Sequence, residues 1–421
     1  MEKKRRLVIV GCGTAAVSAV KQIRKTGCND EVMLLSMEAW HPYSPMSLPY
    51  LISERVKQED IRMVPDDFFD QMSATFVREA RVVGIDTSER KVCLNGQKAI
   101  HYDRLLIATG SDPVVPAILQ EAGCIGFHVM DDCLALIQQL QRTKKVTILG
   151  AGLVAMELAA ALRGKGHDIH VIAPRERILR TYFDTEASGR IIELFAAAGV
   201  TIELNWGEAV MAEGSAEGIS LRFSQGKSAE TEILLSCMGV KPRVSCLADS
   251  GIAVNGGIVV DSNMRTNIPE IFAAGDVAEA KNFFTGQRGL NPILPNAASQ
   301  GKIAGSNMAD HKAEYEGWLP MNTFNFFGHL ATSVGEMVPS PGDEELVEKH
   351  NAEYRKMIFR GGTIVGAAFI DTQVDAGVIQ YLIRKKIEIG EHKEMLLKAP
   401  REVGFWLMNE AEKRETISME Q

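Results

Sequence analysis

The 421-residue sequence lacks any closely spaced pair of cysteines. Its seven cysteines lie at positions 12, 28, 93, 124, 133, 237 and 246, and none forms a C-x-x-C pair. This spacing disfavours a redox disulfide, a zinc site and an iron–sulfur cluster. The nine histidines add no metal-ligand pattern. We therefore predict no metal site, and we interpret the cysteines as small buried side chains in a reducing compartment.

Long apolar runs and an excess of basic residues are also missing. No apolar stretch approaches the roughly 20 residues that a membrane-spanning helix needs. The net charge is −8 and no long basic tract is present, which argues against nucleic-acid binding. The basic residues at 3–6 lead into an apolar run and glycines without the cleavage site of a signal peptide. We therefore expect a cytoplasmic protein with no membrane span and no nucleic-acid partner.

Two glycine motifs of the form G-x-G-x-x-A are the most informative feature that is present. They occupy residues 11–16 and 150–155, and each follows an apolar strand-like run and opens a helical pattern. In that setting the first two glycines allow a tight turn and a close approach of the backbone to a pyrophosphate. The helix directs its free N–H groups and the positive end of its dipole at the phosphates. Two such motifs predict two bound dinucleotides and electron transfer between them.

The alternation of strands and helices predicts an α/β protein with more than one domain. Patterns typical of βαβ units occur at residues 5–40 and 144–175, and turn-rich segments follow near residues 113–116 and 239–242. We predict two Rossmann-like domains, the second inserted in the first, followed by a C-terminal α+β domain. Within the last domain, residues 357–368 are predicted to form a hairpin and residues 376–384 a helix. The predicted domains comprise residues 1–112 with 243–320, residues 113–242, and residues 321–421.

Five segments, in order, resemble the flavin-dependent pyridine nucleotide–disulfide oxidoreductases. They are the two fingerprints, the A-T-G-S segment at 108–111, the M-G-V-K-P segment at 238–242 and the T-N-I-P-E-I-F-A-A-G-D segment at 266–276. The last is the most specific. The resemblance covers about residues 5–320 and implies a glutathione reductase-type fold. It implies FAD at the first fingerprint and NAD(P)H at the second.

The same resemblance implies a set of cofactor-binding residues. For FAD these are Gly11, Gly13, Thr14, Ala15, Ala16, Ser36, Glu38, Ala108, Thr109, Gly110, Gly275, Asp276, Asn296 and Ala297. For NAD(P) they are Gly150, Gly152, Leu153, Val154, Arg175 and Gly239. Asp276 is expected to accept hydrogen bonds from the ribityl hydroxyls. Glu157 stands where family members carry a glutamate near the nicotinamide, so it is a candidate catalytic residue, with a plain helix former as the alternative.

One departure from the family decides the expected chemistry. Counted from the first fingerprint, the redox cysteine of the single-cysteine branch falls at Met46. A thioether forms neither a thiolate nor a mixed disulfide, so we expect no thiol–disulfide chemistry there. Met46 is predicted either to lie near the flavin or to fill the core. The segments 43–50 and 354–367 resemble rubredoxin reductases and the flavin domains of nitrite reductases, which pass electrons to iron–sulfur centres.

These observations predict an FAD-dependent NAD(P)H:acceptor oxidoreductase. It would exchange hydride between nicotinamide and FAD, and single electrons with an external iron–sulfur protein or partner subunit, in either direction. The size and layout also resemble the flavoprotein subunits of oxoacid dehydrogenases of the phenylglyoxylate type, which leaves a homodimer and a complex subunit both open. The alternatives are a peroxide-forming NADH oxidase and a non-catalytic flavin-bound scaffold.

The residues that distinguish NAD from NADP leave both possible. A Rossmann strand usually ends in an acid that binds the ribose hydroxyls. That place holds Ser36 in the first unit, with Glu38 as a possible substitute, and Ala173 in the second, followed by Arg175 and Arg177. Loss of the acid beside an arginine favours a 2′-phosphate. The Arg177 position is also basic in many NAD-using relatives, and the overall resemblance slightly favours NAD.

Overall fold

The computed structural model describes residues 4–96, 98–350 and 353–419. The strands are β1 (Arg6–Val10), β2 (Glu31–Leu35), β3 (Ala74–Val77), β4 (Val82–Asp86), β5 (Lys91–Leu94), β6 (Ile100–His101), β7 (Arg104–Ile107), β8 (Ser111–Pro113), β9 (Ile125–Gly126), β10 (Lys145–Leu149), β11 (Asp168–Ile172), β12 (Thr201–Glu203), β13 (Ala209–Ser215), β14 (Gly218–Phe223), β15 (Ser228–Thr231), β16 (Ile233–Ser236), β17 (Val240–Pro242), β18 (Ile258–Val259), β19 (Ile271–Ala273), β20 (Ala278–Lys281), β21 (Arg288–Gly289), β22 (Met321–Phe326), β23 (His329–Gly335), β24 (Glu344–His350), β25 (Glu353–Arg360) and β26 (Thr363–Ile370). The α-helices are α1 (Thr14–Lys25), α2 (Leu48–Ile52), α3 (Phe68–Gln71), α4 (Ala117–Glu121), α5 (Met130–Leu140), α6 (Leu153–Gly164), α7 (Thr185–Ala197), α8 (Leu294–Met308), α9 (Ala376–Arg384), α10 (Lys393–Lys398) and α11 (Pro400–Met419).

The first compact unit comprises Met1–Val114, His128–Asp131 and Val240–Trp318. Its parallel sheet has the order β19-β7-β1-β2-β3. The central strands β1 and β7 are almost entirely apolar and buried, as expected for a parallel sheet covered on both faces. Because β1 lies between β2 and β7, the chain order reverses there. The carboxyl ends of β1 and β7 therefore form the crevice where such sheets bind ligands.

The second compact unit comprises Val115–Phe127, Asp132–Gly239 and Leu319–Gln421. It contains a second parallel sheet, with the order β12-β11-β10-β16-β9. β10 lies between β11 and β16, so the same reversal of order occurs at the second fingerprint. An antiparallel meander of β13, β14 and β15 follows β12 in the chain.

The C-terminal part of the second unit is an antiparallel sheet with helices. The sheet order is β22-β23-β26-β25-β24. The predicted hairpin near residues 357–368 corresponds to β25 and β26, which are joined at Gly361 and Gly362. The predicted helix at 376–384 is α9, whose N-cap Asp375 accepts hydrogen bonds from the Gly377 and Val378 N–H groups. The helix α11 and the polar edge strand β24 lie in a region for which the sequence indicated neither.

The predicted fold class is confirmed: two Rossmann-like parallel sheets occur with a C-terminal α+β part. One compact unit contains most of the predicted NAD(P) domain together with the C-terminal part, and the predicted domain boundaries stay a prediction. Within residues 4–96, 98–350 and 353–419, no helix is both long and apolar enough to cross a bilayer. The same residues contain no cluster of three or more His, Cys, Asp or Glu side chains suited to a metal ion.

Candidate functional site

The first fingerprint turn brings the backbone at residue 11 against a neighbouring strand. Gly11 follows β1 and has a φ of +112°, which L side chains rarely adopt. A Cβ at Gly11 would overlap the carbonyl oxygen of Ala108, which follows β7. The Ala108 N–H donates to the Val10 carbonyl oxygen at 2.8 Å and holds the two segments at this spacing. Glycine is therefore required at this turn.

The second fingerprint repeats that backbone arrangement in the other unit. Gly150 follows β10 and has a φ of +108°. A Cβ there would overlap the carbonyl oxygen of Cys237, which follows β16. The Cys237 N–H donates to the Leu149 carbonyl oxygen at 2.8 Å. Cys237 thus has the same part in the second turn that Ala108 has in the first.

Both fingerprint helices begin without a side-chain cap. Gly13 is the N-cap of α1 and Gly152 is the N-cap of α6, and neither end has a side-chain capping hydrogen bond. A Cβ at either glycine would meet no atom within 4 Å among the described residues. The first helical residues, whose N–H groups point out of each end, are Thr14, Ala15, Ala16, Leu153, Val154 and Ala155. Uncapped N–H groups beside open space fit the pyrophosphate of a dinucleotide at each turn.

The predicted FAD residue Asp276 lies close to the start of α1. It follows Gly275, whose φ is +85° and where a Cβ would lie 3.3 Å from the Ala15 Cβ. The Asp276 side chain is half-buried, and its Oδ2 accepts a hydrogen bond from Ser111 Oγ at 2.8 Å. Burial raises the pKa of Asp276, while the Ser111 hydrogen bond opposes that rise. A half-buried acceptor thus lies beside the fingerprint helix, where it can accept a hydrogen bond from a ligand hydroxyl.

Arg243 organises the A-T-G-S segment, and the sequence reasoning missed it. Its side chain donates to the carbonyl oxygens of Thr109 at 3.1 Å and Ser111 at 3.0 Å, and its Nε donates to Asp112 Oδ1 at 2.7 Å. The Thr109 hydroxyl in turn donates to the Arg243 carbonyl oxygen at 2.8 Å, and the Arg243 N–H donates to the Gly110 carbonyl oxygen at 3.0 Å. The only signal in the sequence was an arginine directly after the M-G-V-K-P segment.

The helix α8 crosses α1 in direct backbone contact. A Cβ at Gly301 would overlap the carbonyl oxygen of Ala15, and one at Gly305 would lie 2.6 Å from the carbonyl oxygen of Ala19. This crossing fixes the first turn of α8, which contains Asn296 and the buried Ala297. Asn296 is also buried, and its Nδ2 donates to a carbonyl oxygen of the preceding loop at 3.2 Å. The helix begins at Leu294.

Ser36 and Glu38 follow β2, where the ribose-binding acid of a Rossmann unit usually stands. Ser36 is buried, and its Oγ accepts hydrogen bonds from Cys12 Sγ and from the Glu38 N–H, both at 3.1 Å. Glu38 Oε2 accepts a hydrogen bond from the Tyr43 hydroxyl at 2.7 Å. The Tyr43 oxygen also accepts from the Met130 N–H at 2.9 Å. Their contact with FAD stays a prediction.

Met46 lies in a short 3-10 turn, Pro45–Ser47, of the first unit. It is half-buried, and the Ser47 N–H closes the turn by donating to the Ser44 carbonyl oxygen at 3.0 Å. A methionine in this turn supplies no ionisable group. The predicted position of Met46 near the flavin stays a prediction.

Glu157 is a buried carboxyl group in the first half of α6. It is 8% exposed, and its Oε2 is buried with no hydrogen-bond partner among the described residues. Burial raises the pKa of Glu157 to about 7, because the ionised form loses its hydration. A carboxyl group of this kind can bind and release a proton near neutral pH.

The remaining predicted NAD(P) residues lie at two loops of the second unit. Arg175 is exposed, two residues after the buried Ala173 at the end of β11. Arg177 lies within its own loop, where its guanidinium donates to Thr185 Oγ1 at 3.1 Å and to the carbonyl oxygen of residue 180 at 2.9 Å. Gly239, with a φ of +109°, follows the segment that contains Cys237.

Two protein families match this chain. The pyridine nucleotide-disulphide oxidoreductase family matches residues 5–301. The rubredoxin NAD+ reductase C-terminal domain matches residues 320–387, which include β22 to α9. Together they cover both parallel sheets and the C-terminal antiparallel sheet.

Individual relatives agree with this assignment. The chain is 32% identical over 413 residues to subunit epsilon of the NADH-dependent phenylglyoxylate dehydrogenase of Aromatoleum evansii, which covers 96% of this chain and 97% of that one. It is 27% identical over 306 residues to the rubredoxin-NAD(+) reductase of Pseudomonas putida, covering 72% of this chain and 79% of that one. An engineered water-forming NADPH oxidase, a mutant of the Lactobacillus brevis NADH oxidase solved with NADPH, matches with a TM-score of 0.84 and 25% identity, covering 91% of this chain and 92% of that one.

The family match spans the motifs in the order in which the sequence presents them. It includes both glycine turns, the Asp276 segment and the start of α8 as far as Gly301, so both fingerprint turns belong to the matched part. The resemblance drawn from the sequence is confirmed. The chain belongs to the pyridine nucleotide-disulphide oxidoreductases, which are flavoenzymes that use FAD and NAD(P)H.

Proposed function

We propose that this chain is an NAD(P)H:acceptor oxidoreductase that passes electrons to, or takes them from, an external iron–sulfur protein or partner subunit. The observation that carries the proposal is Met46, which stands in place of the redox cysteine. Without a thiol there, electrons that reach the flavin must leave for an acceptor outside this chain. FAD exchanges a hydride with nicotinamide as an electron pair and can release the electrons one at a time.

Each of the two fingerprint turns binds one nucleotide in this proposal. The α1 N-terminus at Gly13 binds the pyrophosphate of FAD, and the α6 N-terminus at Gly152 binds that of the nicotinamide nucleotide. Asp276 accepts the ribityl hydroxyls of FAD. Glu157 acts beside the nicotinamide, where its raised pKa lets it hold a proton at neutral pH.

The comparisons support an iron–sulfur partner. The C-terminal part matches the corresponding domain of rubredoxin reductases, and one relative is named as a rubredoxin reductase. The Aromatoleum relative is a subunit of a dehydrogenase, which supports assembly of this chain with other subunits and transfer of electrons to a nicotinamide nucleotide. The seven free cysteines agree with a reducing, cytoplasmic location.

The second nucleotide site shares a pattern with the engineered NADPH oxidase. The changes named for that protein include glycine to alanine, aspartate to alanine eighteen residues later, and proline to arginine seven residues after that. Ala155, Ala173 and Arg180 occur in this chain with the same spacings. The shared pattern supports a nicotinamide nucleotide at the second fingerprint.

The test is anaerobic reduction of the flavin-loaded protein, followed by oxygen uptake. NADH or NADPH should bleach the flavin absorbance, the reduced protein should consume oxygen slowly, and oxidised rubredoxin should reoxidise it rapidly. A flavin that neither nucleotide reduces would contradict the proposal and favour a scaffold. Rapid, continuous oxygen uptake by the isolated chain would favour the peroxide-forming oxidase instead.

A further inference from the structure

The carboxyl end of β11 is the place where a Rossmann unit meets the 2′ position of the adenosine ribose. Ala173 follows β11 and is 3% exposed. Its N–H donates to the carbonyl oxygen of Glu203 at 2.9 Å, so its backbone is fixed by the neighbouring strand β12. A methyl group cannot accept hydrogen bonds from ribose hydroxyls. It also carries no negative charge that would repel a phosphate group.

The loop after Ala173 is held against the second fingerprint. The Leu179 N–H donates to the carbonyl oxygen of Ala151, between the two fingerprint glycines, at 2.8 Å. The Asn205 N–H donates to the Arg175 carbonyl oxygen at 3.0 Å. The backbone beside Arg175 and Arg180 is therefore fixed by hydrogen bonds, one of them to the predicted pyrophosphate-binding turn.

The charges of this loop favour an anion. Residues 174–183 contain three arginines and one carboxylate, Glu176. Arg177 bonds within the loop, whereas Arg175 and Arg180 are exposed. Guanidinium groups bind phosphate oxygens through paired hydrogen bonds, which is the contact that a 2′-phosphate needs.

We propose that the second fingerprint selects NADP(H) over NAD(H), with Arg175 and Arg180 binding the 2′-phosphate and Ala173 leaving room for it. This inference rests on the proposed function in one respect, namely that the second dinucleotide is a nicotinamide nucleotide. It runs against the slight preference for NAD that the overall resemblance gives.

Binding of oxidised nucleotides to the oxidised, flavin-loaded protein tests this inference without any turnover. Titration calorimetry should give a Kd for NADP+ at least about ten-fold below that for NAD+, since NAD+ lacks the phosphate oxygens that form charge-assisted hydrogen bonds with the arginines. Arg175→Ala and Arg180→Ala should each weaken NADP+ binding by about ten-fold and change NAD+ binding by less than about two-fold. The advantage of NADP+ should shrink as salt is raised.

Two further variants make the result specific. Arg142→Ala removes an exposed arginine that precedes β10, at the amino end of the strands, and should leave both affinities unchanged. Ala173→Asp should reverse the preference, because its carboxylate repels the phosphate and accepts the ribose hydroxyls.

Three results would overturn the inference. They are equal or tighter binding of NAD+ to the unaltered protein, equal weakening of both nucleotides by the arginine variants, and an effect of Arg142→Ala as large as theirs. If neither nucleotide binds, the proposed function itself fails, so the two failures are distinguishable.

Discussion

At the residue scale, the burial of Glu157 makes the stability of the folded protein depend on pH. Its pKa rises from the ordinary value of 4.5 to about 7 on folding. A carboxyl group whose pKa is raised in the folded state favours that state while it stays protonated. Its contribution is complete below pH 4.5 and is lost as the pH rises through about 7.

Glu157→Gln should remove the loss of stability that accompanies ionisation of Glu157. Relative to the unaltered protein, the variant should gain on the order of 2 kcal/mol in the free energy of unfolding between pH 5 and pH 8. Chemical denaturation at the two pH values measures the difference. Glu217→Gln, at an exposed turn, is the matched control and should follow the unaltered protein. A Glu157→Gln profile parallel to that of the unaltered protein would show that Glu157 is ionised throughout.

A second prediction at this scale concerns the role of Arg243 in FAD binding. Arg243→Gln removes the ion pair with Asp112 and the hydrogen bonds to the carbonyl oxygens of Thr109 and Ser111. Because Ser111 also donates to Asp276, we expect FAD affinity to fall by about ten-fold, and stability to fall by on the order of 1 kcal/mol since the ion pair is partly exposed.

Flavin fluorescence on dilution measures the FAD affinity of Arg243→Gln. Arg81→Gln, at an exposed position of the same unit, should retain the affinity of the unaltered protein. Unchanged FAD binding in Arg243→Gln would refute a positioning role for Arg243.

At the scale of elements, the crossing of α1 and α8 depends on glycine. Gly301→Ala would bring a methyl group into the carbonyl oxygen of Ala15. Backbone atoms there cannot rearrange as a side-chain end can, so we expect a loss of about 1–3 kcal/mol of stability.

Gly189→Ala in α7 is the matched control for Gly301→Ala. A Cβ at Gly189 would meet no atom within 4 Å among the described residues, so alanine should stabilise the protein by roughly 0.5–1 kcal/mol. The midpoint temperature of thermal unfolding should fall in Gly301→Ala and rise in Gly189→Ala. Equal shifts would mean that the close approach of the two helices has no energetic consequence.

The same scale shows which elements a sequence can predict. The two fingerprints, the hairpin of β25 and β26 and the helix α9 all carry local patterns of apolar residues, glycine or a capping aspartate, and they were predicted. The edge strand β24 was missed because it is mostly charged and pairs on one side only. The helix α11 was missed because its apolar residues do not follow one face, and Phe405 and Trp406 are exposed.

For the site as well, the sequence predicts residues within one motif but not contacts between distant segments. Gly11 and Asp276 belong to contiguous motifs, so sequence alone pointed to them. Two other contacts join segments that are distant in sequence. The Cys237 carbonyl lies against Gly150, and Arg243 forms hydrogen bonds with residues 109–112. Such contacts depend on strand order, which a motif does not contain.

At the scale of the whole molecule, burial raises the pKa of the cysteine thiols at positions 12, 28, 124, 133, 237 and 246. Burial raises the pKa of Cys12 to about 11 and that of Cys237 to about 12. Iodoacetamide at neutral pH should therefore leave the rate of NAD(P)H-dependent acceptor reduction within about two-fold of the untreated rate, since the thiolate is the reacting form. Labelling of the unfolded chain is the control for reagent activity. Loss of the rate in proportion to the modification of one cysteine would contradict electron transfer without a thiol.

The strand order of the first sheet has a consequence for synthesis. β19 and α8 complete the unit that begins with β1, yet they leave the ribosome after the whole of the second parallel sheet. The first parallel sheet is therefore not the first sheet that can close, and one edge of its apolar strand β7 stays unpaired until β19 has been synthesised. Nascent chains that end before α8 should accordingly recruit chaperones, and flavin can be captured only after α8, which ends at Met308, has left the ribosome.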